Sequence, residues 1–168
     1  EAEKDLKNFV PADFREKQLD KLKQYRSKEI LRSSFEICTR TGVHLGGCNS
    51  YRINDYYQWI PRTAGGGGYR TLGLDISESA YWGKGYGTMA LVAFINYFLA
   101  HEIQPLYLQT WSGNLRMVHV AEKLGFETCQ RVPSERTVRG QQYDGLTFRL
   151  DLAKYETFRQ LYMDRGDY

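Results

Sequence analysis

The chain has 168 residues, 42 % apolar and 26 % charged, with 23 basic residues against 20 acidic ones and a formal net charge of +3. That length suits one domain around one core, and that composition excludes a disordered chain. The near-even charge excludes a strongly basic nucleic-acid binder, yet its mild positive bias suits an anionic cofactor.

In chain order, the opening Glu-Ala-Glu-Lys-Asp lacks the pattern of a signal peptide. Residues 11–29 place Phe14, Leu22 and Tyr25 at helical spacing among alternating charges, which predicts an amphipathic helix with a solvated basic face. Residues 33–40 alternate Phe35 and Ile37 with polar neighbours and read as a strand. Thr41-Gly42 is a turn, and 44–53 is the returning strand. Residues 54–68 carry Tyr56, Tyr57 and Trp59, then Pro61 and four glycines, and read as a loop. Its aromatics either line a substrate mouth or cover the edge of the core.

Residues 69–77 form a strand with Leu72, Leu74 and Ile76 on one face and Thr71, Gly73 and Asp75 on the other. A strongly apolar helix is expected at 88–101; its apolar run, 89–100, is broken by Asn96 and too short to span a bilayer. A strand at 105–111 and a helix at 114–124 follow, with Ser112 or Asn114 as cap and Gly125 as terminator. Strands are expected at 126–132 and 145–151, joined by a polar connection, before a short helix within 153–168. Cys38, Cys48 and Cys129 form no CxxC pair, so neither a disulfide framework nor a zinc site is indicated and a reducing cytoplasm is the default. The element order predicts one domain, 1–168, of α/β (α+β) class with a mixed sheet.

The stretch that carries chemistry is Tyr81-Trp82-Gly83-Lys84-Gly85-Tyr86-Gly87-Thr88, between a strand and a long helix. The start of a helix leaves backbone N–H groups without intrahelical partners, and the helix dipole adds positive character there. Glycines allow an anion to approach that backbone closely. The spacing fits neither a P-loop, because Lys84 precedes no hydroxyl residue, nor the GxGxxG dinucleotide fingerprint. Taken alone, such a loop is also what a plain tight strand–helix turn would need.

Two stretches together carry a family resemblance. The loop resembles the acyl-CoA pyrophosphate loop of GNAT acetyltransferases, Q/R-x-x-G-x-G/A, with Trp82 in the first position and Gly85 and Gly87 as the small residues. Thr110-Trp111-Ser112-Gly113-Asn114-Leu115-Arg116, followed by Ala121-Glu122-Lys123-Leu124-Gly125-Phe126, resembles the second motif, N-x-R…EKLGF. Arg139-Gly140-Gln141-Gln142-Tyr143-Asp144 resembles the closing hairpin of the RimJ/RimL-type branch. The resemblance covers about residues 36–151.

It implies a GNAT-like fold whose sheet splays between its fourth and fifth strands to take the pantetheine arm of acetyl-CoA. Residue by residue, Ile76 and Ser77 would offer backbone to that arm. Trp82, Gly83, Lys84, Gly85, Tyr86, Gly87 and Thr88 would hold the pyrophosphate. Asn114 would bond the cofactor arm besides capping its helix, and Lys123 is either a cofactor neighbour or a solvated helix end.

The implied reaction is attack of a neutral amine on the thioester carbonyl, which calls for a proton acceptor and an oxyanion donor. Backbone N–H near Ile76 is the candidate donor. The tyrosine acid common in the family is replaced by Ala121, and a frequent carboxylate position on the fourth strand holds Thr71. Asp75 is then the candidate base or substrate anchor, with Tyr143, and behind it Asp144, as further candidates. His44, His101 and His119 have no evident partner.

The family's first strand has no counterpart in 1–10, so it is expected to be missing, and the bare sheet edge suggests a homodimer. The acceptor is an amine, a small molecule or a protein N-terminus, with no nucleic acid, membrane or metal partner. Two rival readings remain: a non-catalytic CoA-binding module, favoured by Ala121 and Thr71, and a ribosome- or RNA-associated binder, disfavoured by the charge balance.

Overall fold

The computed structural model describes residues 31–61, 67–101, 103 and 105–164. The chain divides into two compact units, Glu1–Arg32 and Ser33–Tyr168, and every element named here belongs to the second. The predicted N-terminal helix and the expected absence of a first strand in 1–10 both concern residues outside those described.

The second unit runs β1 (Ser34–Cys38), β2 (His44–Ile53), β3 (Trp59–Ile60), β4 (Tyr69–Ile76), α1 (Tyr86–Leu99), β5 (Leu106–Trp111), α2 (Leu115–Lys123), β6 (Phe126–Val138), β7 (Gln141–Leu150) and α3 (Leu152–Asp164). Its seven-stranded sheet has the order β1-β2-β4-β5-β7-β6, with β3 paired to β2 alone. All pairs are antiparallel except β4–β5. A parallel pair needs a crossover between its strands, and α1 is that crossover.

Helix α1 buries Leu91, Val92, Phe94, Ile95 and Phe98, each worth about 1.5–3 kcal/mol of removed apolar surface. It lies on the Leu72–Leu74 face of β4, since a Cβ at Gly87 would stand 3.1 Å from the Leu74 side chain. The core is completed by Leu106, Leu108, Leu124, Phe126 and Phe148. The fully buried Tyr155 of α3 donates its hydroxyl to Asn96 Oδ1 at 2.8 Å and to Val92 O at 3.3 Å, tying α3 to α1.

Most predicted elements match within a residue or two, with two differences. The expected loop at 54–68 contains β3, a two-residue strand formed because Asn54 folds the chain back: its Oδ1 accepts from the N–H groups of Tyr56 and Gln58. The expected polar connection between the last two strands is instead a continuation of both. β6 and β7 pair out to Val138↔Gln141, with Arg139 and Gly140 turning at φ 51° and 79°. Those outer residues are mostly exposed on both faces, so the sequence shows no apolar alternation there, while ladder hydrogen bonds still form the strands.

Candidate active site

The parallel pairing of β4 and β5 covers Arg70↔Leu106, Thr71↔Tyr107 and Leu72↔Leu108, and then stops. β4 continues to Ile76 and β5 to Trp111 without pairing to each other, so the two strands part and leave edge groups facing a cleft. The phosphate-loop candidate stands at the mouth of this splay. After a short 3-10 turn at Ser79–Tyr81, Gly83 and Gly85 adopt φ 72° and 86°, the left-handed region that disfavours other residues. A Cβ at either glycine would meet no atom within 4 Å, so the space in front of the loop is open.

Helix α1 begins with Met89 N–H donating to Gly85 O. The N–H groups of Tyr86, Gly87 and Thr88 therefore precede its first intrahelical bond and are available to an anion. Lys84 and Arg116 flank the loop, each over an aromatic ring and neither paired with a carboxylate among the described residues. Open space, convergent donors and two cations fit a diphosphate, and the splay fits the extended arm that joins it to a thioester.

Other predicted cofactor residues are engaged within the protein. Trp82 Nε1 donates to Ile76 O at 2.7 Å. Ser77 N–H donates to Leu45 O at 2.9 Å, and its hydroxyl donates to Asp75 Oδ2 at 2.7 Å. Asn114 caps α2, its Oδ1 accepting from Met117 N–H at 3.3 Å while its Nδ2 donates to Thr110 at 3.2 Å. Lys123 is exposed, with Nζ 5.8 Å from the Phe158 ring centroid of α3.

The face of the sheet away from α1 carries the acceptor-side candidates. Register puts Asn49, Tyr51, Thr71, Gly73 and Asp75 on this face with Tyr107, Gln109 and Trp111. Asp75 is exposed, and its Oδ1 has no protein partner among the described residues. Tyr143 packs edge-on against Trp111 at 4.7 Å and donates its hydroxyl to Gln141 Oε1 at 2.8 Å. Asp75 and Tyr143 thus stand on strands to either side of the splay. Asp144 faces Arg131 and Ser134, and these bonds, the Ser134 N–H first, hold its carboxyl below the ordinary range. It serves the hairpin rather than the cleft.

Sequence reasoning passed over a polar bridge across the splay. Tyr51 donates to Gln109 Oε1 at 3.0 Å, and Gln109 Nε2 donates to Tyr57 O at 2.8 Å and Thr147 Oγ1 at 3.0 Å. Burial pushes the Tyr51 phenol up to about 12. Beneath it Thr71 is fully buried and its hydroxyl has no hydrogen-bond partner among the described residues. The period-two pattern could have found the shared face, but not the pairing of β2 with β4 that assembles it. Ala121 is fully buried, so that position serves packing here. Of the histidines, His44 pairs with Glu36 and His101 with the Tyr97 carbonyl, both away from the splay. Among the described residues, no three His, Cys, Asp or Glu side chains gather as a metal site.

A family model described as "Acetyltransferase (GNAT) domain" matches residues 2–127. The chain belongs to the GNAT acetyltransferase family. It is an acetyl-CoA-dependent N-acetyltransferase by that membership, and the loop and splay suit that cofactor. No curated protein matches the sequence.

Among solved structures, a variant of the spermidine N-acetyltransferase SpeG from Vibrio cholerae superposes with a TM-score of 0.58 at 17 % identity, covering 83 % of this chain and 76 % of that one. The yncA protein of Salmonella typhimurium, solved with acetyl-CoA, gives 0.53 at 19 % identity over 66 % of this chain and 60 % of its own. NAA60 from Arabidopsis thaliana, in complex with acetyl-CoA, gives 0.51 at 13 % identity over 66 % and 67 %. At these identities the likeness is one of fold. No helix of the described residues is long and apolar enough to cross a membrane.

Proposed function

We propose that this GNAT domain acetylates a primary amine, carried by a small molecule or a protein N-terminus, which approaches on the face of the sheet opposite α1. The observation that carries this reading is the parting of β4 and β5 directly after Leu72↔Leu108, beside a loop with open space and unpaired N–H groups. The named substrates of structural relatives, spermidine among them, support an amine acceptor without choosing one.

Bound acetyl-CoA supplies a thioester carbonyl open to attack by a neutral amine. Residues Trp82 to Thr88 hold its diphosphate, Ile76 and Ser77 border its arm, and Asn114 steadies the start of α2 beside it. Asp75 receives the incoming ammonium and accepts its proton through Oδ1, while Ser77 fixes the other carboxylate oxygen. Backbone N–H near Ile76 faces the charge that develops on oxygen. Tyr143, braced by Trp111, forms the opposite wall and orients the acceptor. We further place the chain near the RimJ/RimL branch, on the motif Tyr81–Thr88, and in the cytoplasm without nucleic-acid or membrane partners. The outer edge of β1 has no strand partner among the described residues and supports a homodimer; a monomeric mass in light scattering refutes the dimer.

The test is a thermal melt with acetyl-CoA against adenosine, followed by a panel of amines read by thiol release. Ligand at about a hundred times its dissociation constant adds roughly 2.7 kcal/mol, a rise on the order of 5–10 °C for a chain of this size. Asp75→Asn is expected to keep that rise and lower kcat/KM on the best amine by about a hundredfold. Absence of any acetyl-CoA shift sinks the reading, and an unchanged Asp75→Asn rate removes Asp75 from it.

A further inference from the structure

The ends of β4 and β5 diverge, yet one contact joins their two sides again. Trp82, from the β4 side, is anchored by its indole N–H on the Ile76 carbonyl. Arg116, in the first turn of α2 after β5, lays its guanidinium over that indole, 4.4 Å from the ring centroid. The contact spans the mouth of the splay beside Gly83 and Gly85. Stacking uses only the flat face of the guanidinium and leaves its N–H donors free at the edge. Arg116 is exposed and meets no carboxylate among the described residues. Lys84 repeats the arrangement on the other flank, with Nζ 5.7 Å from the Tyr81 ring centroid. Two cations are therefore held on aromatic rings at the rim of an open glycine cradle, with no carboxylate partner among the described residues.

We propose that Arg116 is a cofactor-binding residue that grips a phosphate of acyl-CoA, and that Trp82 is the residue that positions it. The inference rests on the acetyl-CoA reading above and adds to it a residue from the second motif. An indole brings no charge to the loop, so the charge arrives from α2 by stacking on it. The free fork of donors suits two oxygens of one phosphate. The strap also couples α2 to the loop across the mouth of the splay.

Calorimetry on the full chain tests this with acetyl-CoA, 3′-dephospho-acetyl-CoA and S-acetylpantetheine, comparing wild type with Arg116→Ala and Arg116→Lys. Arg116→Ala is expected to weaken acetyl-CoA about tenfold, to flatten the fall of affinity with salt, and to leave the phosphate-free thioester unchanged. Arg116→Lys recovers only part of the loss, because an ammonium neither stacks flat nor bonds as a fork. If the Arg116→Ala penalty persists with the 3′-dephospho cofactor, the diphosphate is the contact; if it vanishes there, the 3′-phosphate is. Trp82→Leu is expected to reproduce part of the loss at an unchanged ligand-free melting temperature. Equal weakening of all three ligands, or no weakening of acetyl-CoA, overturns the proposal. Wild type that binds none of the three overturns the acetyl-CoA reading itself.

Discussion

Thr71 shows how one side chain can read differently in sequence and in structure. In the chain it is a polar residue on the face of β4 shared with Asp75, at a position where related chains often carry a carboxylate. In the fold it is fully buried between Tyr51 of β2 and Tyr107 of β5, with no partner for its hydroxyl among the described residues. A buried hydroxyl without a hydrogen bond costs about 1–3 kcal/mol of desolvation. Thr71→Val keeps the branched shape and removes that cost, so it is expected to stabilise by roughly 1 kcal/mol, a rise in Tm of about 2–4 °C. A fall in Tm in the same melt would mean that the hydroxyl has a partner in solution. Asp75 is the contrasting case: it is still paired with Gly47 of β2 but lies beyond the last residue of β4 paired with β5, and its side chain is exposed with Oδ1 unpartnered among the described residues.

At the scale of elements, the β6–β7 hairpin was the least legible part. Glu127, Arg131, Glu135, Arg136 and Arg139 give it the composition of a loop. Yet Asp144 binds Arg131 and the Ser134 N–H, and its backbone exchanges hydrogen bonds with Ser112 at the start of the α2 turn. The hairpin is thereby fastened to the second motif. Because these bonds hold the Asp144 carboxyl below its ordinary 3.8, their stabilisation is present above that pH and is lost as pH falls through the lower folded value. Between pH 5 and pH 3 the wild type should therefore lose more stability, read as a urea midpoint, than Asp144→Asn does; an equal loss would assign the acid sensitivity to other groups. Helix α2 was legible by contrast, since Asn114 and Gly125 cap and end it by local chemistry, with Gly125 at φ 84°.

For the whole molecule, the three thiols report on how the layers close. Cys38 and Cys129 are exposed, while Cys48 is buried beneath α1 and its thiol is pushed up to about 11 by burial. A thiolate-seeking reagent at neutral pH should label two cysteines quickly and the third only on unfolding; three fast reactions would mean that the β2 layer opens readily. The sequence by itself determined what local chemistry can set: the strands and helices through their apolar period, the α2 caps, and an anion cradle through glycines that tolerate positive φ before a helix. Its two motifs also carried the family. Only the tertiary structure decided where β4 and β5 part, which residues bridge the gap as Tyr51–Gln109, and that Arg116 lies on Trp82. Those contacts join residues 34 to 58 positions apart, and no periodicity along the chain encodes a pairing made across a sheet.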